Sequence, residues 1–354
     1  MFDIYQTKTM LGAIKHMEPV HSFLRDRYAA TNPRDVFPTD EVLVEYKDTT
    51  NRRMAPIVVN GVSGITVDRK GYETFRMEPP TVSVKRELTA DALRKKGFGE
   101  ELFSDLTPAQ RQQQLLAEDL VDLDQMITNR EEFIVSKLLF GNGYTLKQYA
   151  DEYGTTAEEY EMKFYTESTN PAVYAPGIKW NAEGSDKLAD LFAMVRMLTT
   201  AGNAARDVLL GADAADELMA DPVIQKLLDI KNYDVGSIAP QLMEQGAALL
   251  GVLNIRGHKL NLITYDGTHV DEETGNIVPY IPAKSICVTA PGCARGLAGC
   301  VTQMEQSDGQ FHSYTGRRVP RYWFDKNGRE IQLSSKPLYV PAAKNPFISA
   351  AVLD

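Results

Sequence analysis

Cysteine is scarce: Cys287, Cys293 and Cys300 are the only three in 354 residues. Their separations are wider than the CxxC spacing of zinc or redox motifs, and an odd number cannot close a disulfide framework. Free buried thiols in a reducing compartment are the expectation. Long apolar runs are missing as well. No stretch approaches the ~20 residues that span a bilayer. The opening residues, Met1 to Leu11, are broken by Asp3, Gln6 and Lys8, which is not a signal-peptide pattern. The chain is therefore expected to fold in a cytoplasm, away from membranes. Basic excess is also lacking, since 38 Lys and Arg against 48 Asp and Glu leave a net charge of −10. A sequence-independent nucleic-acid binder needs a dense basic face to displace counterions. A polybasic membrane anchor needs a similar cluster.

Catalytic and metal-binding patterns are absent too. His16 and His21 are five apart and do not share a helix face as a zinc HExxH pair would. His258, His269 and His312 stand alone. The stretch Gly292-Cys-Ala-Arg-Gly-Leu-Ala-Gly299 fits neither the dinucleotide fingerprint nor the P-loop, and reads as a strand-end turn. Gly61-Val-Ser63-Gly64 has the wrong spacing for a nucleophile elbow. Asp213, Asp216 and Glu217 sit near a helix start, where solvated acids favour the macrodipole. Trp180 and Trp323 are read as core or interface residues, and Arg94-Lys-Lys96 as a solvated loop. No catalytic residue, metal or cofactor is expected.

What is present is an unusual order of parts. A short helical stretch, Thr9 to Met17, is followed by a strand candidate, Glu41 to Tyr46, with clean alternation. A long hairpin is expected next, with Arg53 to Val59 on one side, turn chemistry at Asn60-Gly61, and a return near Tyr72 to Met77. Pro108 opens the strongest helix, with Thr107 as N-cap. Apolar residues at Leu116, Leu120, Leu123, Ile127, Ile134 and Leu138 mark one face. Gly141 and Gly143 end it. About 32 residues make a rod of roughly 48 Å. A coiled coil is the alternative, but the a/d register is not sustained. Beyond the rod lie a strand at Glu161–Tyr165, a loop from Ser168 to Trp180 and a helix at Asp186–Ala201. A buried strand at Arg206–Gly211 and a helix at Ala212–Met219 follow. Strands then dominate: Val252 to Tyr265, Ser285–Thr289, Glu330–Leu333, Leu338–Val340 and Phe347–Leu353. The class is α+β, without βαβ alternation.

Several segments, in order, resemble the lambda-like phage major head proteins, the capsid protein E family. They are Ala55-Pro-Ile-Val-Val-Asn-Gly61, Phe75 through Lys85, and the rod from Asp105 through Arg130-Glu-Glu-Phe133 to Phe140-Gly-Asn-Gly-Tyr144. Trp180-Asn181, Tyr280-Ile-Pro282, Ala294-Arg-Gly296, Arg321-Tyr-Trp323 and Ser334 to Tyr339 continue the series. The motifs are short, and their collinearity carries the resemblance. The acidic, tyrosine-rich insert Tyr149–Tyr160 departs from it. The resemblance implies the tailed-phage, Hong-Kong-ninety-seven-like major capsid fold. It implies an N-terminal arm (1–50), an extended loop (51–92), a peripheral domain with a spine helix (93–187), an axial domain (188–300) and return strands (301–354). It further implies a non-enzymatic subunit that forms the hexamers and pentamers of an icosahedral virion shell, assembled in the host cytoplasm. The implied partners are a separately encoded scaffold, a portal, a decoration protein and packaged DNA on the inner face. The competing readings are a tail or head accessory protein, and a mixed α+β hydrolase with an unrecognised site.

Charge is blocked along the chain. From Asn51 to Lys96, ten basic residues face five acidic ones, a net +5; from Glu100 to Lys137, nine acids face three bases, a net −6. The candidate inter-subunit contacts are therefore Arg52, Arg53, Arg69, Lys70 and Arg76 on the loop, against Glu118, Asp119 and Asp122 on the rod. Pairing of the two blocks inside one subunit is the alternative.

Overall fold

The computed structural model describes Thr7, Met10, Leu11 and Ile14, then residues 22–39, 41–46, 73–89, 108–141, 143–149, 157–164 and 173–230. It continues with residues 241–243, 246–272, 274–306, 308–325 and 328–354. The helix Pro108–Phe140 has 33 residues, about 50 Å at the α-helical rise. Most of its apolar stripe is buried: Leu120, Leu123, Ile127, Ile134 and Leu138 are buried, and Leu116 packs partly buried beside them. The first half packs on Ile331 and Leu333 of a three-stranded sheet. The second half, with Ile134, Val135, Leu138 and Leu139, enters the largest core cluster. A long helix otherwise gains little from propensity alone; burial of its face against two separate partners holds it.

A seven-stranded sheet forms the second body, in the order Val173–Tyr174, Ile348–Ala351, Ser285–Thr289, Asp207–Leu210, His258–Tyr265, Ala247–Ile255, Gln241–Leu242. Alternation along its strands splits its side chains between two cores. Val208, Leu210, Leu260, Leu262, Ile286 and Val288 join Leu191, Met194 and Leu198 of the helix Lys187–Thr200 and Leu218 of the helix Ala212–Met219. Leu209, Ile263 and Cys287 face the long helix instead. The sheet is thus covered on both sides, which explains the unbroken apolar run Val-Leu-Leu in its central strand. At one edge its last two strands, Ile348–Ala351 and Val173–Tyr174, come from outside residues 188–300.

A smaller sheet runs Ala29–Val36, Ala294–Ala298, Pro337–Pro341, the first pair parallel and the second antiparallel. Here the structure corrects one expectation. Only the start of the glycine-rich stretch turns, at Gly292 with φ +71°; Ala294–Ala298 is a buried central strand. Gly296 is required there, because a Cβ would lie 2.9 Å from both Thr31 Cγ2 and the Tyr339 ring. Glu73–Met77, the expected return side of the hairpin, pairs with Val42–Tyr46, with Tyr46 opposite Glu73; the other expected side, 53–59, lies outside the described residues. Val42, Val44 and Met77 are buried in the main core, so this ladder belongs to the body. The two ends of the tyrosine-rich insert belong to one ladder, in which Gly143–Tyr149 pairs with Ala157–Lys163. Gly143, at φ +132°, has no room for a Cβ against Met162 O. Of the helix expected at Thr9–Met17, the described residues Met10, Leu11 and Ile14 are helical.

None of the three cysteines is in a disulfide, and all are buried. Burial pushes the Cys287 thiol well up and the Cys293 thiol up to about 12. A thiol reagent is therefore expected to label them only after denaturation. Changing all three to Ala should cost about 1 kcal/mol per site without loss of assembly. Rapid labelling of the native protein, or assembly that needs an oxidant, would contradict this.

Candidate functional site

Two glutamates interrupt the long helix's buried face. Glu131 falls on the stripe Ile127, Glu131, Ile134, Leu138, and Glu132 adjoins it; they are 3% and 1% exposed. A bare carboxylate cannot occupy such a position, so each must have partners. Glu131 accepts a forked pair from Arg318, Nη1 at 2.7 Å and Nη2 at 2.9 Å. It also accepts a bond from Arg25 Nη1 at 3.0 Å. Arg318 also reaches Asp124, about two turns earlier on the helix. Burial opposes the Glu131 charge, but Arg318 and Arg25 outweigh it and hold the carboxyl below the usual glutamate range. Burial likewise opposes the Arg318 charge, and Glu131 and Asp124 overcome it and raise its pKa.

Glu132 works differently. Its two oxygens accept the backbone N–H groups of Leu24 (2.7 Å) and Arg25 (2.8 Å). These are the orphan donors of the short helix Phe23–Tyr28, whose own N-cap Ser22 makes no side-chain cap bond. The long helix therefore caps the short one from outside. Burial is the dominant influence on Glu132 and raises its pKa, against the lowering effect of the two N–H bonds.

The other end of the short helix grips the seven-stranded sheet. Arg27 Nε donates to Asp207 Oδ2 at 2.8 Å, the Tyr28 hydroxyl donates to the same oxygen at 3.1 Å, and Asn261 Nδ2 donates to Oδ1 at 2.8 Å. Asp207 is fully buried. The segment 22–36 thus joins the long helix, the seven-stranded sheet and the three-stranded sheet of Ala29–Val36. A smaller junction of the same kind ties Lys187 to Glu217, Nζ to Oε1 at 2.8 Å. That corrects the reading of Glu217 as a solvated helix-start acid. Trp180 is a core residue whose Nε1 donates to Asp190; Trp323 lies under the Arg321 guanidinium at 4.7 Å.

The expected contact residues divide. Arg52, Arg53, Arg69 and Lys70 lie outside the described residues, as do His16, His21, Ser63 and Arg94 to Lys96. Arg76 is exposed, 3.8 Å from Glu41. Glu118 accepts a bond from Gln114. Asp119 and Asp122 both bond Arg86 of their own chain, at 2.7 and 2.9 Å. Of the rod's nine acids, Glu131 and Glu132 are withdrawn into the core. The sequence signal that could have revealed this is the place of Glu131 inside the apolar stripe. No group of three metal-ligating side chains gathers among the described residues.

This geometry defines a class: a structural subunit built on a long helix, two lobes locked across it by buried ion pairs, and a strand pair at its flank, the fold of tailed-phage capsid shells. The chain belongs to the phage major capsid protein E family, which it matches over residues 6–352. It is a shell-forming capsid protein, and the family and fold are structural rather than enzymatic. No curated protein matches it. A protein of Escherichia coli CFT073, assigned as a prophage capsid protein, shares the fold at 15% identity over 79% of each chain, with a TM-score of 0.58. A chain of the satellite phage P4 procapsid with its size-determination (Sid) protein aligns over 99% of this chain and 100% of its own, at 12% identity and a TM-score of 0.45. The capsid of the myovirus XM1 aligns over 97% and 98%, at 9% identity and a TM-score of 0.46.

Proposed function

We propose that this chain tiles the virion head shell as hexamers and pentamers around double-stranded DNA. The shell assembles in the host cytoplasm with a separately encoded scaffold and portal. The family match across nearly the whole chain carries this reading. The division into arm, extended loop, peripheral domain, axial domain and return strands belongs to the same proposal. Native mass spectrometry of the purified chain tests it: capsomers of five and six copies are expected, and a monomer that persists at micromolar concentration contradicts it.

The loop's basic residues Arg52, Arg53, Arg69 and Lys70 are proposed to meet acids on a neighbouring copy. Exposed pairs contribute only about 0.2–1 kcal/mol each, but a closed shell repeats them many times and makes closure salt-dependent. Arg69→Glu with Lys70→Glu should block closure while the subunit stays folded. Because Asp119 and Asp122 already hold Arg86, the compensating change belongs at Glu118→Lys. Unchanged closure and salt dependence in the loop double variant would end the electrostatic proposal.

A further inference from the structure

The three-stranded sheet on the first half of the long helix has the order Val319–Asp325, Gly328–Ser335, Val82–Thr89, so it has two edges. They are treated differently. At the Val319–Asp325 edge, Gln306 donates to Phe324 O at 2.9 Å and accepts from Phe324 N at 3.0 Å. Gln303 Nε2 reaches Pro320 O at 3.2 Å. Two side-chain amides thus occupy backbone groups that a further strand would need, a common way of closing an edge. The Val82–Thr89 edge is eight residues long and pairs, among the described residues, with Gly328–Ser335 alone.

That edge strand has two dissimilar faces. Val82 and Val84 pack toward the long helix, and Arg86 bonds Asp119 and Asp122 there. Ser83, Lys85 and Glu87 point outward and are exposed. Within the chain Glu87 is badly placed, because its register partner is Glu330, a like charge directly opposite. Lys85 lies 3.8 Å from that same Glu330.

We propose that Val82–Thr89 pairs antiparallel with the same strand of a second copy, about a two-fold axis through Arg86. This deepens the shell reading and rests on it. A two-fold contact brings the same patch together twice and keeps outward residues opposite outward residues. Centred on Arg86, it sets Lys85 opposite the second copy's Glu87 and Glu87 opposite its Lys85. Val84 then meets Leu88 on the helix-facing side. Shifting the centre to Lys85 opposes two lysines, and shifting it to Glu87 opposes two glutamates. The charges thus select one register. The two Arg86 side chains that meet at the axis are each neutralised by Asp119 and Asp122. Each copy supplies Glu87 with the cation that its own sheet does not place opposite it.

The test uses the full chain with K85E, E87K and the double variant K85E/E87K, read by sedimentation for association and by electron microscopy for closed shells. Each single change sets like charges across the axis and should weaken association roughly tenfold per contact on the scale of cross-strand pairs. The double variant restores opposite charges and should recover. An equimolar mixture of the K85E and E87K proteins should also recover, because each supplies what the other lacks. Inside one chain E87K only relieves the clash with Glu330, so a purely intramolecular role makes that variant neutral or more stable. Normal association of E87K, or a mixture as defective as its components, overturns the proposal. If wild-type protein forms shells and E87K does too, the edge contact alone is wrong. If wild-type protein associates through this edge without closing, the shell reading alone is wrong.

Discussion

Glu131→Gln is expected to destabilise the unassembled subunit by about 3–5 kcal/mol, the usual cost of breaking one partner out of a buried pair. The amide removes the negative charge that Arg318 and Arg25 surround, and leaves two guanidinium groups facing each other in the core. Glu132→Gln, one residue on, should change stability by no more than about 1.5 kcal/mol, on the scale of a single hydrogen bond. Its carboxylate faces two backbone N–H groups and no bonded cation, and the amide oxygen still accepts one of them. The two neighbours also have opposite pH signatures. The Glu131 pKa is depressed in the folded state, so its contribution is complete above the unfolded glutamate value and is lost as pH falls through the folded one. The Glu132 pKa is raised, so the stability it withholds at neutral pH returns as pH falls through its folded value. Urea denaturation of both variants between neutral and mildly acid pH checks this. Equal losses for the two would show that the junction acts by packing and not by charge.

The second large effect concerns residues 47–72. Tyr46 and Glu73 are register partners, so a two-residue Asn-Gly turn can join them directly with the geometry of a tight hairpin. Replacing 47–72 in this way should leave the fold intact, because Val42, Val44 and Met77 keep their places in the core. A cut that also removed Glu73–Met77 would damage the body and answer nothing. The shortened chain should give native circular dichroism and cooperative unfolding, yet no closed shells. Shells of normal size from it would refute the proposed role of the loop.

The elements with strong local signals were legible in the sequence. The spine helix, the helix behind Asp186, the strand Asp207–Leu210 and the helix Ala212–Met219 all follow from period, caps and apolar runs. Pairings that depend on distant chain were not. Nothing near Gly292 announces a strand, because Ala294–Ala298 is defined by Ala29–Val36 and Pro337–Pro341 on either side. The return strand Glu73–Met77 found Val42–Tyr46 for the same reason. Counting charge by segment also misled. Glu131 and Glu132 entered the rod's negative total as surface acids, whereas their partners Arg318 and the Leu24 and Arg25 amides lie more than a hundred residues away. Asp119 and Asp122 are held by Arg86 of their own chain, the pairing within one subunit that the two charge blocks left open as the alternative.

Electron microscopy of the purified full chain, incubated at neutral pH and moderate salt with its scaffold, tests the shell assignment most directly. Closed icosahedral particles with five- and six-fold capsomers are the expected result. A monodisperse, well-folded monomer that never closes under those conditions would contradict it.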